Sequence, residues 1–208
     1  MGQQDPQIAE SKRRFRREIQ RRLQAIQASD AVRRGHEISE HLTRTPEFAA
    51  ASFVAGYVSL ADEVRVDLVL AEAVVAGKPL LLPVLQGQRL LFAQWRPCSP
   101  LHRDVLGVLE PMGGAAGELP PGQGVLVVPG RAFDLRGNRL GRGSGFYDRI
   151  LARRPAGLVA IGVAFLEQIV PGVPAAVHDL PVDALVTDDG IHRCDGSPGS
   201  AARRAVER

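Results

Sequence analysis

The run Val125-Leu126-Val127-Val128 has no polar position and stops at Pro129. A strand of that kind is covered on both faces, which calls for helices above and below the sheet that contains it. The rest of the chain supplies them. Residues 52–59 (with Phe53, Val54, Tyr57 and Val58), 79–85, 89–95, 158–165 and 184–187 read as further strands. Residues 10–27, 33–43, 66–76 and 146–153 carry helical periodicity, and Gly77 stops the third of these segments. Strands alternating with helices define an α/β class with a mainly parallel sheet. Ligands of such sheets bind beyond the carboxyl ends of the strands.

A chain of 208 residues, 45% hydrophobic, suits a single α/β domain, here expected over residues 1–195. Residues 196–208 are small, polar and charged and read as a disordered tail; the first seven or so read as a disordered start. Within the domain, the proline- and glycine-rich residues 97–124 are the one candidate boundary. No run of about 18 apolar residues is present, so no membrane partner is expected. The opening residues are polar and arginine-rich, which is not a secretory signal. Cys98 and Cys194 lie far apart without metal-ligand spacing, which suits a reducing cytoplasm. No apolar surface helix stands out, and a monomer is expected.

The net charge of +3 is unevenly spread. Lys12, Arg13, Arg14, Arg16, Arg17, Arg21, Arg22, Arg33 and Arg34 crowd the first helical segments. A solvated helix face and small anionic ligands both account for them. Nucleic-acid binding has little behind it: aromatic residues make up 5% of the chain, and no recognised module surrounds the cluster. On the first helix Phe15, Ile19, Leu23 and Ile26 form one stripe. At about 100° per residue Lys12 falls between Ile19 and Leu23 in azimuth, with Arg16 at the stripe's edge. A cation there is either snorkelling or facing a buried anion.

The chemistry concentrates after residue 128. Gly141-Arg142-Gly143-Ser144-Gly145 precedes the helical pattern that starts at Phe146-Tyr147-Asp148-Arg149. Strand, glycine loop and helix start gather free N–H groups around a phosphate, and Arg136, Arg139, Arg142 and Arg149 add charge. The loop is not a Walker A motif, because no Gly-Lys-[Ser/Thr] follows the spacer. Nor is it the dinucleotide fingerprint, whose third glycine is missing. A bare turn needing positive φ is the alternative, though a bare turn needs no arginines. Asp148, in the first turn of that helix, either complements the dipole or ligates magnesium beside phosphates. Asp179, in His178-Asp179-Leu180-Pro181, is a turn residue or a second such ligand. Glu63 follows a strand end, as a surface residue or as an acceptor for the amide and amino edge of a heterocycle.

These spellings together resemble the 5-formyltetrahydrofolate cyclo-ligase family. The match is specific at Pro129-Gly130, Ala132-Phe133-Asp134, Gly137 and the continuous stretch from Arg139 to Arg149. Lys12 with Arg16, Ser59 to Glu63, Leu82-Pro83-Val84, Gly107 to Pro111, Ala164-Phe165 with Gln168, and His178-Asp179 support it. The resemblance implies a three-layer α/β/α Rossmann-like domain with a mainly parallel sheet. It also implies an ATP- and Mg2+-dependent ligase that closes 5-formyltetrahydrofolate to 5,10-methenyltetrahydrofolate, releasing ADP and phosphate. Carried over, Lys12 and Arg16 meet the nucleotide phosphates. Arg139, Leu140, Gly141, Arg142, Gly143, Ser144, Gly145, Phe146 and Tyr147 form the ATP loop. Arg142 also reaches the formyl oxygen and, with Lys12, carries catalysis. Glu63, with Phe146 and Tyr147, holds the reduced folate, while Asp148 and Asp179 are the metal positions. Where Leu106 stands many relatives have an aromatic. Ser144 replaces a common glycine, and serine at positive φ is strained. Arg131 is an added charge, for the folate glutamate tail or for nothing. A relative that binds reduced folate without converting it is the competing reading, and retention of Lys12, Arg142 and Asp148 argues against it.

Overall fold

The computed structural model describes residues 6–104, 107–175 and 179–194. Helices α1 (Pro6–Gln24), α2 (Ala28–Thr43) and α3 (Pro46–Ala50) lead into strand β1 (Phe53–Ala55), helix α4 (Asp67–Val75) and the hairpin β2 (Leu80–Gln86) and β3 (Arg89–Trp95). Short strands β4 (Leu101–Arg103), β5 (Leu109–Pro111) and β6 (Ala116–Gly117) precede β7 (Gly124–Val128). The hairpin β8 (Ala132–Phe133) and β9 (Arg139–Leu140) follows, then α5 (Phe146–Ala152), β10 (Leu158–Val163), a 3-10 turn at Leu166–Gln168, β11 (Ala184–Thr187) and β12 (Gly190–Arg193).

One sheet in the order β12-β11-β10-β7-β1-β2-β3-β6 organises the molecule. Its centre, β11 to β2, is parallel; β12 and β3 run antiparallel to it, and β6 pairs antiparallel with β3. The apolar run of β7 divides between two cores, as a doubly covered strand must. Val125 and Val127 pack with Ile38 and Leu42 of α2 and Val69 of α4, while Leu126 and Val128 pack with Ile150 and Leu151 of α5 on the other face. Helices therefore flank a mainly parallel sheet on both sides. From β1 the chain winds toward β2 and β3; from β7 it winds the other way, toward β10 and β11. The β1–β7 pair is thus the switch point, where the loops leaving adjacent strand ends diverge and open a crevice.

Several boundaries differ from the sequence reading, each for a local reason. Helix α1 already begins at Pro6, inside the stretch read as a disordered start, because proline suits a first turn whose N–H groups are unpaired anyway. It ends at Gln24, where Ala25 and Ile26 tighten to i−3 acceptors. Helix α2 starts at Ala28, with Asp30 in its first turn. Helix α3 had no counterpart; Thr45 caps it, accepting from the N–H of Phe48 at 3.1 Å ahead of Pro46. Strand β1 is three residues long, since beyond Gly56 the chain leaves the sheet and folds back through Tyr57 Oη and Ser59 Oγ, each donating to the Val64 carbonyl at 3.0 Å. The connection over residues 97–124 contains β4, β5 and β6. No helix among the described residues is long and apolar enough to cross a membrane.

Candidate functional site

The crevice beside the β1–β7 switch point holds a cavity of about 820 Å³. Every residue singled out for binding, catalysis or metal lines it: Lys12 and Arg16 from α1, Glu63 from the loop after β1, the stretch from Arg139 to Asp148, and Asp179. They arrive from separate elements, so their convergence is a property of the fold rather than of the chain's spelling.

Helix α1 closes one end. Ile19 is fully buried among Ala132, Leu140, Val170 and Val173, which seats the helix on the β8–β9 hairpin. That orientation turns Lys12 inward. Its ammonium meets the Asp179 carboxylate at 2.5 Å, both side chains 10% exposed. Lys12 thus faces a buried anion and does not snorkel. Arg16, one turn on, donates from Nε to the Gly141 carbonyl at 2.8 Å and so ties α1 to the glycine loop. Burial lowers the Arg16 pKa and Asp179 partly offsets that, with Arg13 adding to the lowering.

The glycine loop departs from the sequence expectation in its entry. The strand feeding it is β9 of a two-stranded hairpin, not the central β7. Positive φ falls at Gly143 (114°) and Gly145 (66°), and Cys98 is the single described non-glycine residue with positive φ. Ser144 therefore escapes the strain expected of it. Among the described residues no backbone carbonyl accepts from the N–H groups of Gly143, Ser144 or Gly145. Helix α5 has seven residues, too short for a large dipole, so cations must carry most of any anion binding here.

The loop's arginines have separate duties. Arg139 is 4% exposed and donates from Nη2 to Asp148 Oδ1 at 2.9 Å, with its guanidinium 5.6 Å from the Tyr147 ring centre. It fastens β9 to α5. Arg149 bonds the Ser144 carbonyl at 3.2 Å and the Gln88 carbonyl at 3.1 Å, clamping the loop to the β2–β3 turn. Arg136 pairs with Asp134 at 3.4 Å and is not among the lining residues, so it does not surround the loop as the sequence suggested. Arg142 alone reaches across the cleft. Its Nε donates to Glu63 Oε1 at 3.1 Å and its Nη2 to Asp62 Oδ1.

The opposite wall was only partly foreseen. Glu63 also accepts from the Leu60 N–H at 3.1 Å, which fixes its carboxylate at the cleft edge. Asp62 bridges Arg142 and Arg131, the latter at 2.5 Å, so Arg131 serves an internal ion pair in this state. Burial pushes the Asp62 carboxyl up, but the two guanidiniums outweigh it and hold it below the usual range. Tyr57 and Tyr147 line the same wall, and burial, then the Glu63 charge, raises both phenols. Glu110 is 3% exposed and accepts from the Leu85 N–H at 2.6 Å; burial raises its carboxyl. Tyr57, Asp62 and Glu110 were not proposed as site residues. Asp62 adjoins Glu63, and Glu110 lies within the matched Gly107 to Pro111 stretch; those were the available signals.

Asp148 and Asp179 line one cavity but are each paired with a cation. Among the described residues no group of three or more His, Cys, Asp and Glu side chains is placed to hold a metal. Leu106, His178 and the tail over residues 196–208 lie outside the described residues.

Comparison with known proteins gives a consistent result. The model of the 5-formyltetrahydrofolate cyclo-ligase family matches residues 8–188. The Escherichia coli protein named 5-formyltetrahydrofolate cyclo-ligase is 32% identical over 178 residues, covering 83% of this chain and 98% of that protein. The mouse protein of the same name is 27% identical over 194 residues, covering 88% and 96%. Among solved structures, the NMR structure of Aquifex aeolicus 5,10-methenyltetrahydrofolate synthetase superposes with a TM-score of 0.75 at 29% identity, over 89% of this chain and 94% of that one.

Proposed function

The chain belongs to the 5-formyltetrahydrofolate cyclo-ligase family, and from that membership and its cleft we infer an enzyme that closes 5-formyltetrahydrofolate to 5,10-methenyltetrahydrofolate with ATP. Ring closure must expel the formyl oxygen, and hydroxide is a poor leaving group. That oxygen attacks the γ-phosphorus of ATP and ADP departs. N10 then attacks the activated carbon, phosphate leaves with the former formyl oxygen, and N10 loses its proton. Little covalent chemistry falls to the protein. Its work is positioning and neutralisation of phosphoryl charge.

The observation that carries this reading is the reach of Arg142. It spans from the glycine loop to Glu63, and so joins the wall suited to phosphates with the wall suited to a pterin. Released from that wall, the guanidinium would meet the transferring phosphoryl and the formyl oxygen and stabilise charge developing between them. Lys12 and Arg16 cover the phosphate end, and Glu63 accepts from the pterin's amide and amino groups. Phe146 and Tyr147 supply apolar surface against the ring. The carboxylate set suits Mg2+, which takes one or two protein carboxylates and completes its shell with phosphate oxygens and water. Asp148 and Asp179 would hold it, and the ion would supply further neutralisation of the phosphates.

The test is spectrophotometric. Enzyme, Mg-ATP and 5-formyltetrahydrofolate should generate the methenyl chromophore, with ADP formed in equal amount. No chromophore with ATP present, or equal formation without it, overturns the reading.

A further inference from the structure

Asp62 is assigned no part in the reaction above, yet it is the hub of the cleft's charge network. One carboxylate oxygen accepts from Arg142 and the other from Arg131. Glu63 accepts from the Nε of the same Arg142 at 3.1 Å. Two guanidiniums thus face two carboxylates, and the cluster is neutral overall. Burial is uneven within it: the Arg131 side chain is 12% exposed and that of Glu63 12%, whereas Arg142 is 40% and Asp62 41% exposed. Arg131 Nη1 is buried and lacks a hydrogen-bond partner among the described residues. Arg131 is therefore the more enclosed partner, and the half-exposed contact between Asp62 and Arg142 is the one that a solvent-borne anion can replace.

We propose that Asp62 is a positioning residue whose carboxylate stands in for a phosphoryl oxygen, holding Arg142 against the folate wall and yielding it when nucleotide and folate are both bound. The proposal rests on the ligase reading given above. Its physical content is competition. A neutral cluster offers a nucleotide's phosphates no net attraction, and Arg142 must leave two acceptors to reach them. Pterin donors that engage Glu63 remove one of those acceptors. Arg142 is then held by Asp62 alone, through a contact of the weak, water-exposed kind. Folate binding therefore lowers the cost of swinging Arg142 onto the phosphates, which couples the two ligands reciprocally. Asp62 does not touch the reacting atoms in this scheme. It sets when Arg142 is free to do so.

A simple strut predicts something different. If Asp62 only braces the loop, removing either of its partners or its charge loosens the wall and weakens every ligand. Competition instead predicts opposite signs. Asp62→Asn leaves the cluster one positive charge in excess, and Arg131→Gln leaves it one negative charge in excess.

Calorimetric titration with Mg2+ and a non-hydrolysable ATP analogue, with and without 5-formyltetrahydrofolate, separates the two. The wild type should bind the analogue several-fold tighter when folate is present. Asp62→Asn should bind the analogue roughly three- to tenfold tighter without folate, and most of the folate enhancement should vanish. Arg131→Gln should bind it several-fold weaker, and Asp62→Glu, which keeps the charge, should retain the enhancement. Weaker binding by both Asp62→Asn and Arg131→Gln, or an unchanged enhancement in Asp62→Asn, overturns the proposal. If Asp62→Asn does not fold, Arg131→Gln and Asp62→Glu still decide it by sign and by retained coupling. Wild-type turnover is measured in parallel. Absence of turnover defeats the ligase reading itself, whereas turnover with indifferent variants defeats only the role of Asp62.

Discussion

At one end of the cleft Lys12 meets Asp179 with both side chains 10% exposed; at the other, Arg142 meets Asp62 with both about two-fifths exposed. The charges are alike and the surroundings are not. A pair out of water has lost its hydration, so removing one partner strands the other at a large cost. A pair in water exchanges partners cheaply, because solvent and salt stand ready to replace either member. The α1 end is thus the costlier of the two to break, and the Arg142 end the easier to remake. The hydrogen bonds agree with that division. Arg16 ties α1 to the glycine loop and Ile19 seats it on the hairpin beside Lys12, while Arg142 is held by side chains of a single loop.

The sharpest test removes the mobile cation. Arg142→Ala should lower kcat by a hundred- to thousandfold, on the order of 3–4 kcal/mol of transition-state stabilisation, with folate affinity changed little. Steady-state kinetics and equilibrium folate titration check both halves; unchanged turnover would remove Arg142 from the chemistry. The Lys12–Asp179 pair, which the ligase reading also places at the phosphates and the metal, should respond in stability as well. Asp179→Ala leaves the Lys12 ammonium buried without its carboxylate and should destabilise the fold by on the order of 3 kcal/mol in denaturant unfolding. A loss like that of an exposed pair would mean that water reaches this end too, and would erase the contrast.

What the sequence made legible follows the range of the interactions involved. Strand β7 could be read because Val125 to Val128 have no polar member, a pattern that a two-sided strand satisfies unaided. The inward aim of Lys12 could be read from helical azimuth. Its partner could not, since Asp179 lies 167 residues further along. The β8–β9 hairpin escaped notice because strands of two residues carry no period. Its turn is fixed at Asp134 by the Asn138 side chain four residues on and by the distant Val173 N–H. Glu63 could be proposed from its place after a strand. The bridge from Asp62 to Arg131 spans 69 residues and needs the β1–β7 crevice to exist first. Local rules gave the sheet and the loop, and only the assembled switch point shows which charges face one another.

That hairpin gives a third test, because it is the seat of the buried end. Asp134 is 1% exposed; burial pushes its carboxyl up, but the Asn138 amide and the N–H groups of Val173, Asn138 and Arg136 outweigh this and hold it below its ordinary 3.8. A depressed folded pKa contributes stability above the unfolded value and loses it as pH falls through the folded one. Asp134→Asn should therefore be less stable than the wild type near neutral pH, by on the order of 1–2 kcal/mol, and the gap should close below about pH 3.8. Melting curves across that range check it. A gap constant with pH would assign the effect to shape rather than charge.

The smallest expected effect bears most directly on the contrast between the ends. Double-mutant cycles for Arg142 with Asp62 and for Lys12 with Asp179, read by unfolding at about 0.05 M and about 0.5 M salt, compare the two pairs under one perturbation. The Debye length falls to a few ångströms at the higher concentration, yet mobile ions can screen only charges that they can approach. The coupling of Arg142 with Asp62 should be under about 1 kcal/mol and should fade with salt. The coupling of Lys12 with Asp179 should persist. Equal fading would show that the opening helix lifts often enough to admit ions, and both ends would then be gates. Persistence at both would show Arg142 locked to Asp62, leaving a phosphate no means of drawing it away.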